Sequence, residues 1–448
     1  MHAPTSGQRA DNEIDAALRK LVDAAGGASG AAAFVLPSGF EISKIPQDPL
    51  NPLTPAKVNL GRLLFHETAA AVNPVIPSTR GNFSCASGHH ADAGFASGLH
   101  QGISEGGSGF GPKVAPRRPA AGVDHALVDV QPIASPPVLN AAWQNLMLWS
   151  GQFGATGANA ATAYAWTEGS PKAVNRLGYE GIESQAIAGL TVHRLLDDDK
   201  HPENTAASIL SRDARYAALF AQAFPAASST NRVNQVNAGL AIAAFERTLI
   251  ADRAPFQQWL RGSSSALTTR QKQGAQVFFG PGQCVQCHAG PSLAGMQFHA
   301  LGLNDLDGAR NAIIKDAKFP ERLGRGSFTG LAADMYTFKV PQLYNLKDHP
   351  AFGHGSSLPS VRAVVDYKNR ARPENAAVPA QSLAAAFQPL GLSEAQLTAL
   401  TDFIENGLYD AELRRYLPAA LPSGQCFPDN DPAARQDANS YCPRGTDR

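Results

Sequence analysis

One seven-residue stretch, Gly282-Gln283-Cys284-Val285-Gln286-Cys287-His288, restricts what this chain can become more than any other. Two cysteines separated by two residues, with a histidine directly after the second, form a pattern by which haem is attached covalently to a polypeptide. Each thiol bonds to one vinyl group of the porphyrin. The adjoining imidazole then falls on the iron as its proximal ligand, the position from which a protein sets haem reactivity. Two blander readings compete. A zinc knuckle needs further ligands at similar spacing, and the sequence holds no second Cys-x-x-Cys. A dithiol redox pair opens a helix inside a βαβ unit, and no such pattern surrounds this stretch. The motif points to haem c.

A length of 448 residues is enough for two or three domains with cores of their own. Lys+Arg and Asp+Glu are both 38, so the charge balance gives no support to nucleic acid or an anionic membrane as the main partner. The 41 glycines and 32 prolines suggest many loops around helices rather than extended sheet. No run of eighteen apolar residues occurs. Met1-His2-Ala3-Pro4 lacks a basic region followed by an apolar stretch, so an exported form is expected to have lost its leader before this numbering. The five cysteines are Cys85, Cys284, Cys287, Cys426 and Cys442. The last two lie in a polar, Pro-containing tail and are expected to close a small disulfide loop, which, like haem attachment, suits an oxidising compartment outside the cytoplasm.

The stretch before the motif has a counterpart upstream. Thr54-Pro55, a helix N-cap and first-turn pair, leads through Gly61, Leu64 and Phe65 to a Cys-containing segment. Thr268-Thr269 leads through Gly274, Val277 and Phe278 to the haem motif. This internal repeat changes the reading. Its first copy continues to Ser84-Cys85-Ala86-Ser87-Gly88-His89-His90, a haem motif with Gly88 where the second cysteine belongs. Two haems are expected, the upstream one bonded through Cys85 alone. A short helix is expected around residues 14–25, a helix over Val236–Leu249 that bridges the halves, and a last apolar helix over Leu392–Leu408. The domain plan is an N-terminal extension (1–49), a first haem domain (50–235), a second haem domain (236–410) and a polar tail (411–448).

Taken together, the two haem segments with Val138-Leu139-Asn140, Leu148-Trp149-Ser150-Gly151, Glu183-Ser184-Gln185-Ala186, Ala244-Phe245-Glu246-Arg247-Thr248-Leu249, Phe338-Lys339-Val340-Pro341 and Gly353-His354-Gly355-Ser356 resemble the bacterial di-haem cytochrome c peroxidase family, MauG-like enzymes included. The resemblance covers roughly residues 50–410. It implies a mainly α fold of two cytochrome c-like domains whose haems face each other across the interface. It implies His89 and His288 as proximal ligands and Trp149 as the residue between the haems. In such proteins the N-terminal haem meets peroxide and the C-terminal haem stores or relays an electron. The acid/base group near peroxide, commonly glutamate in the family, corresponds here to His193, with Gln185 in the same pocket. Histidine suits the task because its pKa lies near working pH. His100, in the segment Gly98–Gly111, is a candidate gate over the first iron.

The far ligand of the second haem stays open: the family uses methionine or tyrosine, Tyr367 matches after a one-residue shift, an ungapped count from His354 lands on Lys368, and Met335 is the reserve. The resemblance also brings a calcium ion between the domains, although the neighbours of Asn140 and Pro341 differ from the family pattern. The expected activity is periplasmic reduction of hydrogen peroxide to water with electrons from a small cytochrome c or cupredoxin; a homodimer is among the assemblies considered. A MauG-like oxidase acting on a partner protein and a non-catalytic electron carrier are the alternatives.

Overall fold

The computed structural model describes residues 6–111, 116–196, 210, 213–307, 312–314 and 319–443. The architecture is mainly helical. Sheet is confined, among the described residues, to two antiparallel pairs of two-residue strands, Gly107–Ser108 with Arg118–Pro119 and Phe298–His299 with Phe338–Lys339.

Two helix pairs built on one plan organise the chain. In the first, α1 (Pro55–His66) starts at Thr54, whose hydroxyl accepts the Lys57 amide at 3.1 Å, and has Pro55 in its first turn. It crosses α2 (Gln235–Arg247) at Gly61, where any β-carbon would lie 1.8 Å from the Ala241 carbonyl oxygen. In the second, α3 (Thr269–Phe279) starts at a capping box of Thr268 and Gln271 and crosses α4 (Glu394–Asp402) at Gly274, where a β-carbon would lie 2.0 Å from the Ala399 carbonyl oxygen. Only glycine permits backbones to approach this closely. Each crossing carries an edge-to-face phenylalanine pair: Phe65 on Phe245 at 5.4 Å, and Phe278 on Phe403 at 5.8 Å.

The helix expected to bridge the halves packs instead on α1 and on α5 (Gly181–Val192). A buried ion pair fixes it there, with Arg247 donating to both Glu183 oxygens at 2.8 and 2.7 Å and to Glu180 at 2.9 Å. This packing joins α2 to elements on its N-terminal side. The last apolar helix continues from α4 as a wider turn over Phe403–Gly407. The N-terminal helix Ser6–Ala25 docks on the second half, where Asp15 accepts from Trp259 at 2.6 Å and pairs with Lys272 at 3.2 Å.

The repeat runs further than the glycines. Asn140 and Asn345 both have positive φ; their amides donate to Leu249 and Leu408, and their side chains accept from Ala251 and Asp410. At identical spacing beyond them, Leu148 and Gly353 have positive φ, and Trp149 and His354 follow. Trp149 and His354 therefore hold equivalent places in the two halves.

The C-terminal tail is not a solvated strand of chain. Cys426 and Cys442 form a disulfide, and the ring they close lies on the Cys85 segment. Thr68 and Ser84 donate to the Cys426 and Pro428 carbonyls at 2.9 and 2.8 Å, Ser87 donates to Asp429 at 2.5 Å, and Arg117 pairs with Asp429 at 2.8 Å. Burial pushes the Asp429 carboxyl up to about 7, against the opposing pull of Arg117. Replacing both cysteines by serine opens a ring of sequence separation 16 and is expected to cost about 3 kcal/mol through chain entropy. A calorimetric melt under oxidising conditions should show a lower midpoint than the parent; an unchanged midpoint would mean that the tail does not depend on its disulfide.

Candidate haem centres

At the second motif, α3 ends at Phe279 and the chain turns back through Gln283, which has φ of 53°. One short helical turn follows, with the His288 amide donating to the Cys284 carbonyl at 2.9 Å. Cys284, Cys287 and His288 thus fall at i, i+3 and i+4, on one side of the turn. The His288 ring is held at Nδ1, 3.1 Å from the Leu293 carbonyl and 3.1 Å from that of Pro341. Both partners are acceptors, so Nδ1 carries the proton and Nε2 presents a lone pair. Burial, reinforced by the charge of Lys368, lowers the His288 pKa to about 4 and keeps the imidazole neutral. Burial likewise pushes the Cys284 thiol up to about 12.

His288 and Cys287 open on a cavity of about 250 Å³. One wall is α6 (Val361–Arg370), capped by Ser360, whose hydroxyl accepts the Ala363 amide at 3.0 Å. Val361, Val364, Val365 and Lys368 of this helix line the cavity. Trp149 and His354 line it elsewhere, and both contact Phe338: the Trp149 ring meets Phe338 edge-on at 6.4 Å, and His354 stacks on it at 3.7 Å. The Trp149 indole donates to the Ala134 carbonyl at 2.7 Å, and the Ala134 amide donates to the His354 carbonyl at 2.8 Å.

The first motif has the same plan. Ser84 and Ser87 make a capping box around Cys85, the His89 amide donates to the Cys85 carbonyl at 3.1 Å, and His89 Nδ1 lies 3.1 Å from the Phe95 carbonyl. Phe95 and Leu293, whose carbonyls accept these bonds, both have positive φ. Burial lowers His89 to about 4 and raises Cys85 to about 12.

His193 closes α5 as its C-cap, and its nearness adds to the lowering of His89. Its Nδ1 is 2.9 Å from Asp129 Oδ2, and its Nε2 is 3.4 Å from the Gln131 amide nitrogen. Burial opposes protonation of His193, but the Asp129 charge and hydrogen bond outweigh it and the pKa is raised. Asp129 and Gln131 are the site residues that sequence reading misses; nothing in their unpatterned loop marks them. Gln185, on α5, has a buried Oε1 without a protein partner.

His100 has a buried, unpartnered Nδ1, and its carbonyl accepts from Ser356 at 2.9 Å, across the halves. Tyr367 lines the second cavity, but its hydroxyl donates to the Leu301 carbonyl and its ring lies 5.3 Å from Phe387. Met335 packs its sulfur on Gly326 and does not line that cavity. Asn140 Oδ1 and the Pro341 carbonyl, the places associated with calcium, accept from Ala251 and His288. Lys339 is buried, its pKa lowered to about 7 by desolvation, with its ammonium bonded to Gln144.

Residues 55–265 match the family model for di-haem cytochrome c peroxidase. The methylamine utilization protein MauG of Methylorubrum extorquens is 28% identical over 363 residues, 81% of this chain and 80% of that protein. The cytochrome c peroxidase Ccp of Escherichia coli is 27% identical over 318 residues, 70% of this chain and 53% of the relative. Over these spans the chain is similar to the di-haem cytochrome c peroxidase family. A crystal structure of a MauG-like protein associated with microbial copper homeostasis shares the fold, with a TM-score of 0.58 at 21% identity over 84% of this chain and 95% of the other. The family implies two haem c groups, and the residues fit them: at each motif a thiol lies beside a neutral imidazole with its Nδ1 committed, and at the second an apolar cavity adjoins them.

Gly88 occupies the place of a second cysteine without needing to be glycine, since a β-carbon there would meet only Ser104 Oγ at 3.9 Å. Gly88→Cys is therefore expected to form a second thioether bond at the first motif. The pyridine haemochrome should shift to that of a protein with both haems doubly bonded, and an unshifted spectrum would count against Cys85 as a haem anchor.

Proposed function

We propose that this oxidoreductase reduces hydrogen peroxide to water in the periplasm, taking electrons singly from a small cytochrome c or cupredoxin. On this reading Cys284, Cys287 and His288 would hold one haem and Cys85 with His89 the other, with Trp149 as the residue that would lie between them. The observation that carries it is the His193–Asp129 pair close to His89. The haem iron, when bound, supplies the site of peroxide reduction and the store of oxidising equivalents.

His193 moves the proton. Asp129 accepts from Nδ1–H and so leaves the lone pair on Nε2, which takes the proton from the near oxygen of peroxide and returns it to the departing one. Gln131 steadies Nε2 from the side at 3.4 Å, and Gln185 offers its unpartnered Oε1 to a bound hydroxyl. Peroxide, two electrons and two protons give two waters. Trp149 and Phe338, in edge-to-face contact at 6.4 Å, provide the aromatic bridge between the halves. The Cys426–Cys442 disulfide suits the oxidising compartment that haem attachment also needs, and no described helix is long and apolar enough to cross a membrane.

A second reading, an oxidase that draws electrons from a partner protein, is favoured by the relative named MauG, which aligns over 81% of this chain. Steady-state peroxide consumption with a reduced small cytochrome separates the two: sustained turnover supports the peroxidase, and none would favour the oxidase or a simple carrier.

His193→Ala is expected to lower kcat/KM for peroxide by about 10²- to 10⁴-fold. Asp129→Asn removes the charge that raises the His193 pKa, so the acid limb of the pH–rate profile should move to lower pH. An unmoved limb would exclude His193 as the titrating base.

A further inference from the structure

We propose that Lys368, rather than a methionine or a tyrosine, supplies the sixth ligand to the iron held by His288. The inference rests on the reading that haem occupies the Cys284–His288 cavity. Positions 361, 364, 365 and 368 form one stripe of α6, by the i, i+3, i+4, i+7 rule. Three of them are valines, and all four line the cavity that His288 enters. A lysine at the end of an apolar stripe ordinarily turns its ammonium to water. Lys368 instead belongs to the cavity wall, with its nitrogen 5.7 Å from the centre of the Phe387 ring. That contact is a weak attraction and does not account for bringing a charge into an apolar space. A metal does: the amine gives up its proton and directs the freed lone pair at iron, so the charge is replaced and not merely tolerated. Lys368 lies close enough to His288, Cys284 and Cys287, the groups that would hold the haem, to interact with them electrostatically.

Of the other donors near this cavity, all but His349 are bonded elsewhere or lie outside its wall. The Tyr367 hydroxyl is bonded to the Leu301 carbonyl, and on a helix its side chain leaves about 100° away from that of Lys368. Met335 does not line the cavity. His354 is bonded to Asp305 at 3.1 Å and stacked on Phe338, and His299 faces Gln297 at 3.2 Å. His349 also lines the cavity and its Nε2 has no protein partner, but that nitrogen faces Gly94 of the first half, 3.5 Å from where a β-carbon would stand, and a bis-imidazole signal would identify it. An amine is a harder donor than a thioether, so this ligand favours ferric iron relative to the methionine found in related peroxidases.

The test uses the full-length, haem-loaded ferric protein. Peptide mass mapping first establishes haem on the Cys284–Cys287 peptide; a bare peptide there overturns the underlying reading and this inference with it. Near-infrared magnetic circular dichroism and EPR then read the ligands. An imidazole–amine low-spin signal in the unmodified protein is the expected result, and an imidazole–thioether, imidazole–phenolate or bis-imidazole signal overturns it. Lys368→Ala should abolish that signal and convert one haem per chain to high spin. Lys368→Met should introduce a thioether charge-transfer band, while Tyr367→Phe should leave the signal unchanged. Retention of the parent signal in Lys368→Ala, or its loss in Tyr367→Phe, contradicts the proposal. Should a variant fail to fold, the spectrum of the unmodified protein still decides.

Discussion

The hydrogen bond from a histidine Nδ1 to a backbone carbonyl is the constraint on which both centres depend. His89 makes it to Phe95, and His288 to Leu293 and Pro341. Without it an imidazole is free to choose its tautomer and its rotation; with it, Nε2 is the only lone pair on offer and its direction is set. The carbonyls in turn require a sharp turn after each motif, and both Phe95 and Leu293 adopt left-handed backbone to provide it. A non-glycine residue in that region costs energy. That two unrelated side chains carry it at equivalent places argues that the turn serves the histidine rather than the loop.

Around those two bonds the chain repeats itself. The glycine crossings at Gly61 and Gly274 bring helix backbones into contact and set the distance at which each haem turn meets its domain. The halves then diverge where their tasks do. The first has His193 with Asp129 and Gln131 near its histidine, and the second has the valine stripe of α6 ending in Lys368. Trp149 and His354, equivalent by position, both contact the Phe338 ring. The tail rests on the single-cysteine turn, and its buried Arg117–Asp429 pair binds the two together.

Much of this is legible in the sequence because side chains carry it. Thr54 caps its helix as its position predicts, and Gly61 and Gly274 mark the repeat before any coordinates are seen. The further repeat from Asn140 to Trp149 and from Asn345 to His354 is hidden. The equivalence there lies in backbone angles, while the residues change from leucine to glycine and from tryptophan to histidine. Asp129 is invisible for another reason: it meets His193 across 64 residues of chain, in a loop with no periodicity. The bridging role expected of Val236–Leu249 fails because apolar spacing reveals a buried helix without saying which neighbour covers it. The tail reads as polar, and its polar groups are buried by partners in Ser84, Ser87 and Arg117 that no local pattern announces.

The most direct measurement is the intact mass of the purified chain, taken together with its pyridine haemochrome spectrum. The account predicts two haems per polypeptide and a spectrum that resolves into a doubly bonded and a singly bonded component. A mass with one haem or none, or zinc in place of iron, would contradict it.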